Sequence, residues 1–147
     1  MNILPLLGKQ LKEDDVIDVL EGFGMEVIYD FDRLHEGQPD RYWASAKQAG
    51  FKLGFDADQS LNICFLYITP SDGFAAFLLR DSDIPHFTTA TEAQAFGESK
   101  GLQVAEGRGD FLGVTRDWIR LNFTTHSIHY EYHAGSLTLV TVSCREH

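Results

Sequence analysis

With 147 residues, 44% of them hydrophobic and 12% aromatic, the chain has the length and apolar content of one folded domain and is excluded from the disordered class. Its 22 acidic and 12 basic residues leave a formal charge of −10 at pH 7. Such a field repels nucleic-acid backbones and anionic membranes and speeds association with basic proteins, although it also serves as a plain solubility device.

The first residues, MNILPLLGKQLKEDD, lack the basic segment, apolar length and cleavage site of a signal peptide. No later run approaches the ~20 apolar residues that span a bilayer, so a cytoplasmic location is expected. Across residues 12–24 an acidic start at Asp14 or Asp15 precedes Val16, Ile17, Val19, Leu20 and Phe23 at helical spacing. Gly22 and Gly24 end that helix. Met25, Val27, Tyr29 and Phe31 alternate with Glu26 and Asp30, the pattern of a half-buried strand. The stretch DRLHEGQPD, 32–40, reads as a loop. Residues 42–47, the Phe51, Leu53 and Phe55 run after Gly50, and the apolar stretch 61–68 read as three more strands.

TPSDG, 69–73, has the composition of a linker, and the residues up to 87 read as a crossing segment. Then the order restarts. Thr89 with Glu92, and Thr91 with Gln94, offer overlapping capping boxes for a helix ending near Gly97. Residues 102–105 suggest a strand, and EGRGDFLG reads as a loop equivalent to DRLHEGQPD. The stretch 117–143 then echoes 42–68: Trp118 matches Trp43, Ile128 matches Phe51, Tyr130 matches Leu53, Tyr132 matches Phe55 and Leu137 matches Leu61. The expected architecture is a single α+β domain of two tandem α-β-β-β-β repeats, about 1–68 and 88–147, flanking the crossing segment. One small helix covers only part of a four-stranded sheet, so two copies side by side would form a curved antiparallel sheet with both helices on one face. The other face is then open for function. Counting by twos puts Trp118, Arg120 and Asn122 opposite Ile119, Leu121 and Phe123, and groups Trp43 with Ser45 and Lys47.

Ser127, His129, Glu131 and His133 share one strand face. Alternate strand residues lie about 6.5–7 Å apart, so neighbouring pairs could share a metal, but all three ligands together would need an unusual approach. A solvated polar face is the plainer reading. His35, His86 and His126 fall in loops with no fixed sequence partner. No nucleophile elbow, phosphate loop or dinucleotide fingerprint occurs. Neither catalysis, nor a metal, nor a cofactor is therefore expected. Cys64 and Cys144 sit in apolar runs, where reduced thiols pack as small hydrophobes.

Trp43 and Trp118 are either core residues or the anchors of an interface, where tryptophan tends to dominate binding energy. The loops around them mix acids and aromatics. The candidate partner-binding residues are Trp43, Trp118, Asp30, Phe31, Asp32, Glu36, Asp40, Tyr42, Phe74, Asp81 and Asp83.

The helix ending in Phe23-Gly24, the stretch GFKLGFDADQSLNICFLYI and its counterpart DWIRLNFTTHSIHYEYHAGSLTLVTV together resemble small bacterial proteins of the toxin-immunity kind. The implied fold is similar to the tandem-repeat architecture of the β-lactamase inhibitor protein and, per copy, to the small lipoprotein of the outer-membrane assembly machine. The resemblance implies an inhibitor that occludes a cognate toxin with its concave sheet face and adjoining loops. An acidic inhibitor complements a basic, nuclease-like effector. A cytoplasmic adaptor or scaffold, and a small-ligand module using the aromatic concavity, remain open alternatives.

Overall fold

A computed structural model describes residues 1–31, 36, 37 and 39–145. Helix α1 (Asp14–Gly22) opens with Asp14 and Asp15 in its first turn, where the helix dipole favours carboxylates; Asp15 also pairs with Lys9. It closes through a left-handed Gly24 at φ +60°, with Gly24 N–H bonded to Glu21 C=O and Met25 N–H to Leu20 C=O. Helix α2 (Ala90–Ser99) ends the same way: Gly101, at φ +68°, donates to Glu98 and Leu102 donates to Gly97. Its start is the expected cap, with Thr89 Oγ1 accepting from Glu92 N–H at 3.2 Å. The Glu92 carboxylate reaches back to Thr88 N–H rather than to Thr89. Helices of nine and ten residues are marginal alone, so their stability comes from the faces they bury.

Four strands follow α1, namely β1 (Val27–Asp30), β2 (Arg41–Ala46), β3 (Phe51–Phe55) and β4 (Leu61–Tyr67). Four more follow α2: β5 (Gln103–Phe111), β6 (Val114–Asn122), β7 (His126–His133) and β8 (Ser136–Cys144). They build one antiparallel sheet in the order β1-β2-β3-β4-β8-β7-β6-β5, not closed, with β1 and β5 at its edges. The strands β2-β3-β4 and β6-β7-β8 pair in matching register. Ala44 faces Leu53 as Ile119 faces Tyr130, and Trp43 faces Gly54 as Trp118 faces Glu131. The bulge between Gly54 and Phe55 against β4 recurs between Glu131 and Tyr132 against β8.

One sheet face carries the core. Ala44, Leu53, Cys64, Val142, Ile128 and Leu121 form one buried row across six strands, and Ala46, Phe51, Leu66, Val140, Tyr130 and Ile119 form the next. Val16 of α1 and Ala93 of α2 belong to the same cluster, with Ile3 and Leu6 from the N-terminal segment. Gly97 of α2 packs so closely that a Cβ there would lie 2.6 Å from Val104 and 2.9 Å from Leu121. The connection from β4 to α2 also covers this face with Phe77, Leu79 and Ile84. It passes tightly under the β2–β3 turn, where Gly50, at φ +82°, leaves no space for a side chain against Ala75.

Four expectations change. His126 opens β7, paired with Cys144, rather than lying in a loop. β1 is a strand, but all four of its residues are exposed rather than half-buried: it lies at the sheet edge, and among the described residues helix packing is found on β5 and β6 rather than on β1. EGRGDFLG is not a loop: β5 runs through Phe111, and only Leu112 and Gly113 turn the chain. β6 accordingly begins at Val114, three residues before Asp117.

Candidate partner-binding surfaces

The sheet face away from the core holds both tryptophans, each half-buried. Trp43 lies across Gly54 of β3, where a Cβ would stand 2.7 Å from its ring, so the strand needs glycine for the indole to lie flat. Phe65 stacks beside it at 6.2 Å, while Lys52 Nζ and Arg41 approach the ring centroid at 4.3 and 5.3 Å, a cation–π arrangement. Arg41 also donates to Asn62 at 3.1 Å. Trp118 lies across Gly107 of β5 in the same manner and stacks on His129 at 5.2 Å. Burial there holds the His129 pKa below its usual value, against the pull of Glu131. Five strand spacings of ~4.8 Å separate β2 from β6, so the two indoles stand about 24 Å apart across the sheet and do not form one anchor pair. The strand residues of this face include Arg41, Lys52, Arg116 and Arg120 against Asp30 and Glu131, so the open face is not where the negative charge resides.

The acids concentrate elsewhere. Residues 13–40 hold ten of the 22 acidic residues and one of the 12 basic residues, so nearly all of the net charge belongs to α1, β1 and the segment after β1. This same region exposes apolar surface: Ile28 is 62% exposed, Phe31 48%, Tyr29 45% and Phe23 45%. Tyr29 stacks on Tyr42 at 4.9 Å and donates its hydroxyl to Asp40 at 2.6 Å, a bond that pushes its pKa up to about 12. Ile28 stands directly opposite Trp43, so the patch on β1 continues onto the open face. A groove of about 670 Å³ runs alongside, between Phe23, Glu26 and Ile28 on one bank and Ser45, Lys47 and Gln48 on the other.

The expected binding residues therefore fall into separate places. Asp30, Phe31, Glu36, Asp40 and Tyr42 belong to the segment at the acidic edge, and Trp43 adjoins it; Asp32 lies outside the described residues. Tyr42 itself points to the core side, packed against the buried cluster. Phe74 is buried at the far end of the open face, stacked on Tyr67 at 4.2 Å. The Asp83 carboxylate is occupied, accepting from Ile3 and Leu4 N–H at 2.7 and 2.9 Å, and thereby fixes the 3-10 turn Leu4–Leu6. The Asp81 carbonyl receives the N-terminal amino group at 2.9 Å. These two anchor the N-terminus rather than extend the β1 patch.

Ser127, His129, Glu131 and His133 do share the open face, but Ser127 donates to Asn122 at 2.9 Å and His129 is stacked on Trp118. Among the described residues no three metal-ligating side chains converge. Both cysteines are free thiols, and burial raises the pKa of each, of Cys64 most. Sequence reasoning missed the β5 edge and the β5–β6 tip, where Phe111 is 58% and Leu112 88% exposed. Glycines at 107 and 109 concealed that strand. Among the described residues no helix is long and apolar enough to cross a membrane. Compared with known proteins, the chain matches no family model, no curated protein and no solved structure.

Proposed function

We propose that this chain is an inhibitor of the immunity kind, which binds a basic, nuclease-like protein effector stoichiometrically and covers its active-site approach. The observation that carries this reading is the coincidence, at one edge, of exposed Phe23, Ile28, Tyr29 and Phe31 with Glu26, Asp30 and Asp40, within a stretch, 13–40, that holds ten of the 22 acids in the sequence. An apolar centre with a charged rim is the anatomy of a protein interface, and its sign suits a cationic partner. Trp43, joined to the patch through Ile28, is the aromatic anchor within reach. Steering by such a field raises the rate of capture, which an antidote to an incoming toxin requires.

The architecture behind the surface is, on the same proposal, two tandem α-β-β-β-β repeats with both helices on the core face of a curved sheet. Support comes from the matching registers and bulges, the paired Gly24 and Gly101 helix ends, and the shared burial of Val16 and Ala93.

The test is capture from an extract of the organism that encodes the chain, with the wild type and a variant carrying Glu26→Gln, Asp30→Asn and Glu36→Gln as parallel baits. A basic protein should be retained by the wild type, lose its activity at one equivalent, and associate more slowly with the variant. A partner that is acidic, or whose activity persists in the saturated complex, would overturn the reading.

A further inference from the structure

The opposite edge of the sheet carries an independent feature. Among the described residues β5 pairs with β6 alone, so along its nine residues alternate N–H and C=O groups point away from the sheet. Natural edges are usually blunted by proline, lysine, a bulge or brevity. β5 has no proline, lysine or bulge and is not short: its sequence is QVAEGRGDF, its register with β6 is continuous, and it is more than twice the length of β1, so the charges of Glu106, Arg108 and Asp110 are the blunting device it carries.

Its charges are also self-complementary. When a second β5 is laid antiparallel about a two-fold axis through Gly107, Glu106 of each copy faces Arg108 of the other, Ala105 faces Gly109, and Phe111 faces Gln103. Arg108 is prepared for this. Its side chain is 77% exposed, and Asp117 of β6 approaches it from within the sheet at 3.4 Å, leaving the outer side of the guanidinium for a second carboxylate. At the axis Gly107 brings no side chain of its own, and the Trp118 ring fills the space above it. Phe111, 58% exposed at the end of the strand, comes to lie against Gln103 and next to Ala105 of the second β5. β1 cannot pair with itself in this way, since Glu26 and Asp30 bracket it with like charges.

We propose that β5 is a self-association edge: two copies of this chain join β5 to β5, so that two eight-stranded sheets become one continuous sheet around an isologous two-fold. The proposal does not depend on the inhibitor reading.

Sedimentation equilibrium from micromolar to submillimolar concentration, with two single variants, tests it. The wild type should show a monomer–dimer equilibrium. Glu106→Arg and Arg108→Glu each set like charges opposite one another twice per dimer, and each should raise the dimer Kd about tenfold or more. Mixing the two variants brings two bases of one chain opposite two acids of the other and should restore association, which a folding defect could not do. Hydrogen exchange should find concentration-dependent protection at alternate β5 amides. A wild type that is monomeric throughout, a dimer indifferent to both variants, a natively folded mixture that fails to associate, or protection that appears on β1 instead would each overturn the proposal.

Discussion

Tyr130→Phe and Tyr132→Phe measure how the long connection between β4 and α2 is held. The two rings stand two residues apart on β7, 0% and 1% exposed, and their hydroxyls donate to Pro85 C=O at 2.7 Å and Phe87 C=O at 2.9 Å. Burial raises both phenol pKa values strongly, so each acts as a neutral donor at ordinary pH. Phenylalanine keeps the packing, including the edge-on contact of Tyr130 with Phe87 at 5.3 Å, and deletes one oxygen. The loss is then a single hydrogen bond plus the cost of leaving a part-buried carbonyl without its donor, about 1–2 kcal/mol for each substitution. For a chain of this length that lowers the melting temperature by about 3–6 °C. The two carbonyls belong to one short segment, so the double variant should cost less than the sum if the first loss already loosens it. Urea denaturation gives the free energies and thermal melts give the midpoints, both followed by circular dichroism. Variants within about 0.5 kcal/mol of wild type would mean that packing of Phe77, Leu79 and Ile84 alone holds the connection, and the reasoning would fail.

Gly54→Ala puts a methyl 2.5 Å from Ile63 and 2.7 Å from the Trp43 ring, so the indole must lift from the sheet. A cost of about 1–3 kcal/mol is expected, together with red-shifted emission in a Trp118→Phe background; an unchanged spectrum refutes the flat-lying ring. His126 and His129 both have pKa values lowered by burial from 6.5, so between the folded values and 6.5 the unfolded chain binds more protons. Their contribution is complete above pH 6.5 and declines as pH falls below it. His129→Gln should flatten part of that slope, and denaturation at pH 7.5 and 5.5 reads the difference. Association with the effector should slow markedly between low and physiological salt, where the Debye length is about 8 Å. Stopped-flow rates that ignore salt would argue against a basic partner.

What was legible in the sequence follows from which signals are local. β2, β3, β7 and β8 alternate apolar and polar residues against one buried face, and counting by twos assigns both tryptophans to the side opposite that face. Residues 25–31 show that alternation except at Ile28, yet β1 is exposed throughout, because the pattern marks a strand while burial depends on what covers it. β5 fails in the opposite sense. Its glycines suggest a turn, but Gly107 is there to accommodate the Trp118 ring, a requirement set by the neighbouring strand and invisible in the local composition. Charge has the same limit. Asp83 counts as one more acid in a loop until the fold brings Ile3 and Leu4, about eighty residues away in sequence, onto its oxygens.

On the two proposals, the two edges of this one sheet serve different partners. β1 is short, with Val27, Ile28 and Tyr29 exposed between Glu26 and Asp30, a pattern that disfavours a second β1 or a polyanion and suits a cationic surface. β5 is long and nearly balanced in charge, with an acid and a base placed symmetrically about a glycine, so its best complement is itself. Joining two copies through β5 leaves both β1 edges at the far ends of the extended sheet. Fifteen strand spacings of ~4.8 Å then separate them by about 70 Å along the sheet. Each copy keeps its acidic edge clear of the other, so self-association and capture of an effector do not compete. Disrupting β5 should leave one-to-one binding intact, and neutralising the β1 edge should leave the dimer intact. That separation is what makes the two proposals independently refutable.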